Sequence, residues 1–329
     1  MVGRGSRGCG EKVAGAKGAR DGARMAKGTK QNRIGLARKL EPYFFLAPVL
    51  VTMIALMGYP LLRGISIAFF DYNLARMNNI RFNGLANFDK IFTGDKYIGV
   101  AAWNTVKWVA VSVLAQFTFG LILALALRKP FKGRGIYQSI VFLPWAFSSF
   151  VVGLMFRWAF NGEYGVINDL LKRAGIITEN ISWLGSSGLS LYTVIIAMVW
   201  LGIPFFGIMY LAALQSIPAD LYEAASIDGC GRIKAFFKIT FPYIQPTVTT
   251  TLLLRTIWIF NAIELIMVIT GGGPAYSSET IASYMYAQAY GTHDFGMAAA
   301  IGLLIMTGMV VYTLIYLRAT KYNSENAEF

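Results

Sequence analysis

Six apolar stretches, at roughly 43–70, 100–127, 137–159, 191–213, 247–270 and 297–318, limit what this sequence can fold into. A hydrocarbon core about 30 Å thick is crossed by about 20 helical residues, and each stretch is long enough. The chain therefore reads as an all-α polytopic membrane protein with six transmembrane helices. Its composition agrees: 56% of the residues are hydrophobic and 14% charged, where a soluble domain averages about 25% charged.

Lysine and arginine accumulate in cytoplasmic loops, and this orients the spans. With the N-terminus inside, segments 1–42, 128–136, 214–246 and 318–329 carry 20 Lys/Arg, against 6 in segments 71–99, 160–190 and 271–296. Both termini are expected in the cytoplasm. Residues 1–42 hold 11 Lys/Arg, 3 Asp/Glu and few large apolar side chains. Such a segment cannot bury enough surface to offset its ordering entropy, so a disordered basic tail is expected. It lacks the apolar core of a signal peptide, and Met25, which opens MAKGTKQNR, reads as a natural start. A six-span domain at 43–318, with an inner loop at 214–246, and a cytoplasmic C-terminal tail at 319–329 complete the expected organisation.

The formal charge of +13 points to nucleic acid at first sight, but most of it sits in the tail. No basic stripe interleaved with aromatics marks an ordered element. Cys9, Cys230 and the single His293 give neither a disulfide framework nor metal-ligand spacing. No G-x-x-x-x-G-K-[ST], H-E-x-x-H or G-x-S-x-G occurs. The chain reads as a non-enzyme without a metal or cofactor of its own. An ATP-driven role places the ATPase, with its Mg-ATP, on another chain.

Residues 216–246 (SIPADLYEAASIDGCGRIKAFFKITFPYIQP) interrupt the apolar pattern with more order than a linker needs. Ser216 is a candidate N-cap, with Pro218 and Asp220 fitting a first turn. The helix runs through Leu221, Tyr222, Ala224 and Ala225 and ends at the Asp228-Gly229 turn. A second helix is expected over 232–240, stopped by Phe241-Pro242. Small residues let another protein's backbone come close, and Glu223 and Asp228 suit basic groups on it. A loop that merely folds back on the bilayer is the other reading.

Glu223-Ala224-Ala225, three residues, Gly229, nine residues, Ile239, one residue, Phe241-Pro242 resembles the EAA loop of ATP-binding-cassette importer permeases. Phe241 stands where that family usually has Leu. Beyond the loop, several motifs are similar to the maltose, glycerol-3-phosphate and multisugar branch. They are Leu46-Ala47-Pro48, Tyr59-Pro60-Leu61, Asn83-Gly84-Leu85-Ala86-Asn87-Phe88, Asn104-Thr105, Phe142-Leu143-Pro144-Trp145, Gly165-Val166-Ile167-Asn168, and Thr270-Gly271-Gly272-Gly273-Pro274 with Ser278-Glu279-Thr280. The resemblance implies a type I ABC importer transmembrane domain in a bacterial or archaeal plasma (inner) membrane. It implies a second, similar permease, a cytoplasmic ABC ATPase docked on the loop, and an extracytoplasmic solute-binding protein that delivers sugar for alternating access. In that scheme Glu223, Ala224 and Ala225 seat the loop, Ile239 belongs to the same motif, and Asp228 is a further docking candidate beside it. Gly229 sets its turn and Pro242 its exit. Polyamine or peptide import and ATP-independent secondary transport are the alternatives.

Glu264, about 25 Å along the fifth span at 1.5 Å per residue, is an intramembrane carboxylate and so a functional candidate. With Trp258 and Asn261 it offers a sugar an aromatic platform and hydrogen-bonding groups. Pairing with Lys107 or Arg157 for assembly is the other reading. Of the remaining aromatics, which read mostly as core packing or interface belts, Trp145 or Trp200 is expected to face a cavity. Arg255 lies on the opposite face of that helix from Glu264 and is expected to snorkel to the inner interface. Gly271, Gly272, Gly273 and Pro274 read as a hinge or a backbone surface for an external partner, or as a plain turn.

Overall fold

The computed structural model describes residues 42–320, apart from the side chains of 77–79. The expected basic tail before Pro42, the Met25 start and residues 321–329 lie outside the described residues. The chain divides into two compact units between Gly64 and Ile65. The described part of the first belongs to helix α1 (Pro42–Ile67), whose side chains are mostly apolar and exposed. Thr52 Oγ1 donates to the Pro48 carbonyl at 2.8 Å. A π-turn at Ile54–Gly58 shifts the hydrogen-bond register just ahead of Pro60, which has no N–H to donate.

The second unit holds, in order, α2 (Ile98–Arg128), α3 (Arg134–Phe142), α4 (Ser149–Ala159), α5 (Ser190–Gln215), α6 (Ala219–Ile227), α7 (Phe241–Asn261), α8 (Glu264–Ile269), α9 (Ile281–Tyr290) and α10 (Phe295–Ala319). Among the described residues, α1 included, five helices are long and apolar enough to cross a membrane, and six if the bent α3–α4 pair is one span.

Two spans are broken. The third bends by 95°. Pro144 lies in a 3-10 turn at Leu143–Ala146, Phe147 and Ser148 are extended, and Ser148 Oγ accepts the Phe150 N–H at 3.3 Å to start α4. The fifth breaks at Ala262, which is extended at ψ 99°, with neither proline nor glycine beside it. The Ile259 carbonyl at this break accepts from the Trp108 indole at 2.8 Å and from the Ala262 N–H at 3.1 Å. Trp108 thereby supplies a donor where lipid has none.

Two expectations for 216–246 are corrected. Ser216 does not cap α6; it closes α5, its Oγ donating to the Ala213 carbonyl at 2.9 Å, and α6 follows Pro218 without a side-chain cap. Phe241-Pro242 does not stop the second helix either. Residues 232–240 run into α7 through a π-turn at Phe236–Thr240, where the Phe241 N–H bonds five residues back to the Phe236 carbonyl. The wider register carries the helix past Pro242, so no break or exit forms there.

Helices α2 and α5 make the centre of this unit. A Cβ at Gly120 would overlap the Phe206 Cβ and meet the Ile203 carbonyl at 3.3 Å. Spans gain little hydrophobic drive from each other in lipid, so close approach at a small residue supplies the packing. Ala124, Leu127, Phe206, Tyr210 and Ile244 form one buried cluster, and Trp108, Val194, Ile259 and Leu265 another.

Three segments between spans are fastened by buried asparagines. Asn87 donates to the Ala68 and Phe70 carbonyls, each at 2.9 Å, behind a hairpin of β1 (Phe70–Asp71) and β2 (Arg81–Phe82). Asn168 donates to the Gly162 and Ile181 carbonyls at 3.0 Å and accepts from the Trp183 indole at 2.8 Å. Asn104, near the start of α2, donates to the carbonyls of Tyr276, Ser277 and Glu279. All three belong to the motif segments singled out in the sequence.

Candidate functional site

The inner loop ends α6 in a Schellman turn. Gly229 has φ +71°, its N–H bonds to the Ser226 carbonyl at 3.1 Å, and the Cys230 N–H bonds to Ala225 at 2.8 Å. Glu223, Ala224, Asp228, Gly229 and Pro242 are exposed, while Ala225 and Ile239 are half-buried. Ile227 and Ile233 flank the turn at 87% and 78% exposure. These two isoleucines stand beside the exposed Glu223 and Asp228 carboxylates. Tyr222 anchors the other side of α6: the Arg128 guanidinium lies 4.3 Å over its ring, and its hydroxyl meets Thr240 Oγ1 at 2.8 Å. The loop is thus fixed to the end of α2 and to the helix that becomes α7.

Within the spans, the aromatic candidates separate. The Phe205 ring lies 6.0 Å from Trp145 and 5.4 Å from Trp258, and both tryptophans are about half exposed. Trp200 packs instead on Phe156 at 5.7 Å. Behind Phe205, with its Cζ 5.8 Å from the ring centroid, is Arg255. The expected snorkelling is corrected: Arg255 is 8% exposed, and its Nε donates to Gln116 Oε1 at 2.7 Å. The Gln116 amide is held by the Met198 carbonyl at 2.8 Å. Gly202 makes room, since a Cβ there would overlap both Gln116 and Arg255. The arrangement is an aromatic floor backed by a fixed positive charge. Sequence reasoning missed Gln116, Phe205 and Gly202; the available signal was the lone amide of Gln116 in an apolar span.

Glu264 stands at the first position of α8 beyond the break, exposed, rather than inside a continuous helix. Pairing is not realised: among the described residues it has no cationic partner, and Arg157 donates to the Val268 carbonyl at 3.3 Å. Asn261 is exposed and bonds back to Ile257 at 2.9 Å.

At the outer end, Gly271 and Gly272 have φ of +62° and +85° and wrap the segment around Glu279. Glu279 is 3% exposed, and a Cβ at Gly272 would overlap its Oε2. Burial pushes the Glu279 carboxyl up to about 7, against the opposing Ser283 hydroxyl. Its Oε1 has no hydrogen-bond partner. Tyr276 stacks on Tyr97 with centroids 4.0 Å apart, Ser278 Oγ donates to the Gly273 carbonyl at 2.7 Å, and the Gly273-Pro274 peptide is cis. Among the described residues no group of acidic, histidine or cysteine side chains is arranged to hold a metal.

Residues 116–320 match the family described as "Binding-protein-dependent transport system inner membrane component". A probable ABC transporter permease protein of Brucella suis is 34% identical over 87% of this chain and 98% of its own. The sulfoquinovosyl glycerol transport system permease protein of Agrobacterium fabrum is 33% identical over 88% of this chain and 92% of its own. For the trehalose/maltose transport system permease protein of Thermococcus litoralis the figures are 33%, 74% and 81%. The solved structure of a bacterial ABC transporter involved in the import of the acidic polysaccharide alginate aligns with a TM-score of 0.76 at 25% identity, covering 87% of this chain and 96% of that one.

Proposed function

The chain belongs to the family of inner-membrane components of binding-protein-dependent transport systems, and from that premise we propose that it is a transmembrane subunit of an ATP-driven carbohydrate importer. Relatives named for sulfoquinovosyl glycerol and trehalose/maltose transport support the solute class. The observation that carries the mechanism is the folded inner loop, with its apolar tip exposed and Tyr222 clamped between Arg128 and Thr240.

In this reading a cytoplasmic ABC ATPase docks on Ile227, Ile233 and the Glu223-Ala224-Ala225 face, and a second, similar permease completes the path. Both termini lie on the ATPase side. Movement of α6 is passed to α2 and α7 by the Tyr222 clamp, and the spans reorient at the breaks near Ser148 and Ala262. Solute released by the binding protein meets Trp145 and Trp258 on the Phe205 floor, with Asn261 and Glu264 farther along. The positive charge of Arg255 behind that floor favours, within the carbohydrate class, a sugar with an acidic group.

The test is co-purification of the tagged chain expressed with its candidate partners. A stoichiometric ATPase and second permease, with only the ATPase lost in Glu223→Lys, is the expected result. A chain that comes down alone and moves sugar in liposomes without ATP overturns it. Competition for uptake by a uronate oligosaccharide but not by a neutral disaccharide supports the acidic class, and the reverse refutes it.

A further inference from the structure

Between α3 and α5 lies an open cavity of about 410 Å³. Arg134, Gln138 and Phe142 line it from α3, spaced four apart and therefore stacked along one face. Gln215, Leu211 and Ile208 line it from α5. Arg134 begins its helix and Gln215 ends the other, so the polar side chains share one mouth and the apolar ones lie deeper.

The mouth is chemically unsatisfied. Arg134 Nε is out of contact with solvent and has no hydrogen-bond partner. Gln138 and Gln215 make no side-chain hydrogen bond among the described residues. Arg134 closes a turn, RKPFKGR, that adds Arg128, Lys129 and Lys132, and no acidic residue occurs from 128 to 142. Arg128 is engaged with Tyr222. The other three cations have no ion-pair partner among the described residues. The rest of α3 is dressed for lipid: Ile136, Tyr137 and Ile140 are all at least half exposed.

A buried guanidinium nitrogen without an acceptor asks for an anion, and the amides of half-buried Gln138 and exposed Gln215 beside it can donate to further oxygens. Leu211, Ile208 and Phe142 ask for hydrocarbon. One molecule type meets both demands, and basic pockets between spans at the cytoplasmic side are where such headgroups bind. We propose that this cavity holds the headgroup of an anionic glycerophospholipid of the inner leaflet. The phosphodiester oxygens accept from Arg134, the glycerol and ester oxygens from Gln138 and Gln215, and the acyl chains leave along Phe142 and Ile208. The inference rests on the chain crossing a membrane with this mouth at the cytoplasmic side, and not on which solute it carries.

Native mass spectrometry of the purified transporter complex tests this, after exchange into micelles containing phosphatidylglycerol, phosphatidylcholine, or inorganic phosphate without phospholipid. The wild type should retain phosphatidylglycerol over phosphatidylcholine, and inorganic phosphate should neither bind nor displace it. Arg134→Gln should lower phosphatidylglycerol retention about fivefold, the worth of one cation at an anionic lipid surface. Ala212→Phe, which fills the apolar wall and keeps the charge, should lower retention as well, so the site remains testable if Arg134→Gln does not assemble. Equal retention of the two lipids by the wild type, or unchanged retention in both variants, overturns the proposal. So does displacement by inorganic phosphate, which would make the mouth a simple anion site. Lipid held by the isolated chain but absent from the complex also overturns it, because the second permease would then occupy the groove.

Discussion

Arg255 and Gln116 meet inside the bundle, Nε to Oε1 at 2.7 Å, although 139 positions separate them in the chain. No carboxylate pairs with the guanidinium among the described residues. A neutral amide, itself held by the Met198 carbonyl, and the Met198 thioether, 3.8 Å from Nη2, are the acceptors that keep a full charge in a desolvated place.

Replacing Gln116 by Leu strands that charge. The cost of leaving a buried charged donor unmade is about 2–3 kcal/mol. The expected outcome is a lower unfolding midpoint in detergent for Gln116→Leu. The double variant Gln116→Leu/Arg255→Met should be less destabilised than the sum of the single changes, because the pair is coupled. Strict additivity would show that the contact carries no energy.

Gly229 occupies left-handed backbone with open space around its missing Cβ. Substitution there is therefore a conformational matter and not a steric collision. Gly229→Asn, which tolerates this region, should keep solute-stimulated ATP hydrolysis in proteoliposomes. Gly229→Val should lose it while inserting normally, at a local cost of about 1–2 kcal/mol or more for a β-branched residue. Equal coupling by both variants would remove the turn from the mechanism.

Asn104→Ala removes the amide whose two N–H groups are shared among three carbonyls of the 276–279 backbone. Unpaired buried carbonyls cost about 1–3 kcal/mol, so faster amide exchange is expected over 271–281 with little change in α5 or α10. Unaltered exchange in that segment would show that Asn104 is not its anchor.

Glu279 has a carboxyl raised from 4.5 to about 7 by burial. The neutral form is the one the fold accepts. Its contribution is complete below pH 4.5, fades between 4.5 and 7, and is gone above the folded value. Glu279→Gln keeps the shape without the charge. Its unfolding midpoint relative to wild type should rise across that window and level off above it. A pH-independent difference would place the effect elsewhere.

Residues 42–320 were legible mainly where one local property decides the structure. Apolar length gives the spans, and the Asp228-Gly229 turn ends α6 because glycine takes φ +71° without the Cβ penalty most residues meet there. What was not legible depends on distant partners. Arg255 looks like a snorkelling residue until Gln116 arrives from another span. Glu264 looks embedded until α7 stops at Asn261 with no breaker in the sequence, its freed carbonyl met by Trp108 from 151 positions away. Pro242 looks like a stop signal, and the π-turn before it carries the helix on. At the floor, Trp145 and Trp258 were legible as aromatics and Phe205, which joins them, was not, since nothing local distinguishes a linking ring from a packing one.

The three asparagines that fasten the segments between spans have a consequence for the medium those segments can work in. Amide clamps carry no net charge, so dissolved ions do not screen them. The ion pairs Arg81–Asp71 and Arg173–Asp169 are solvent-accessible, and pairs of that kind contribute about 0–1 kcal/mol even at low salt. Brine and fresh water should therefore find Asn87, Asn104 and Asn168 holding the same loops in the same places.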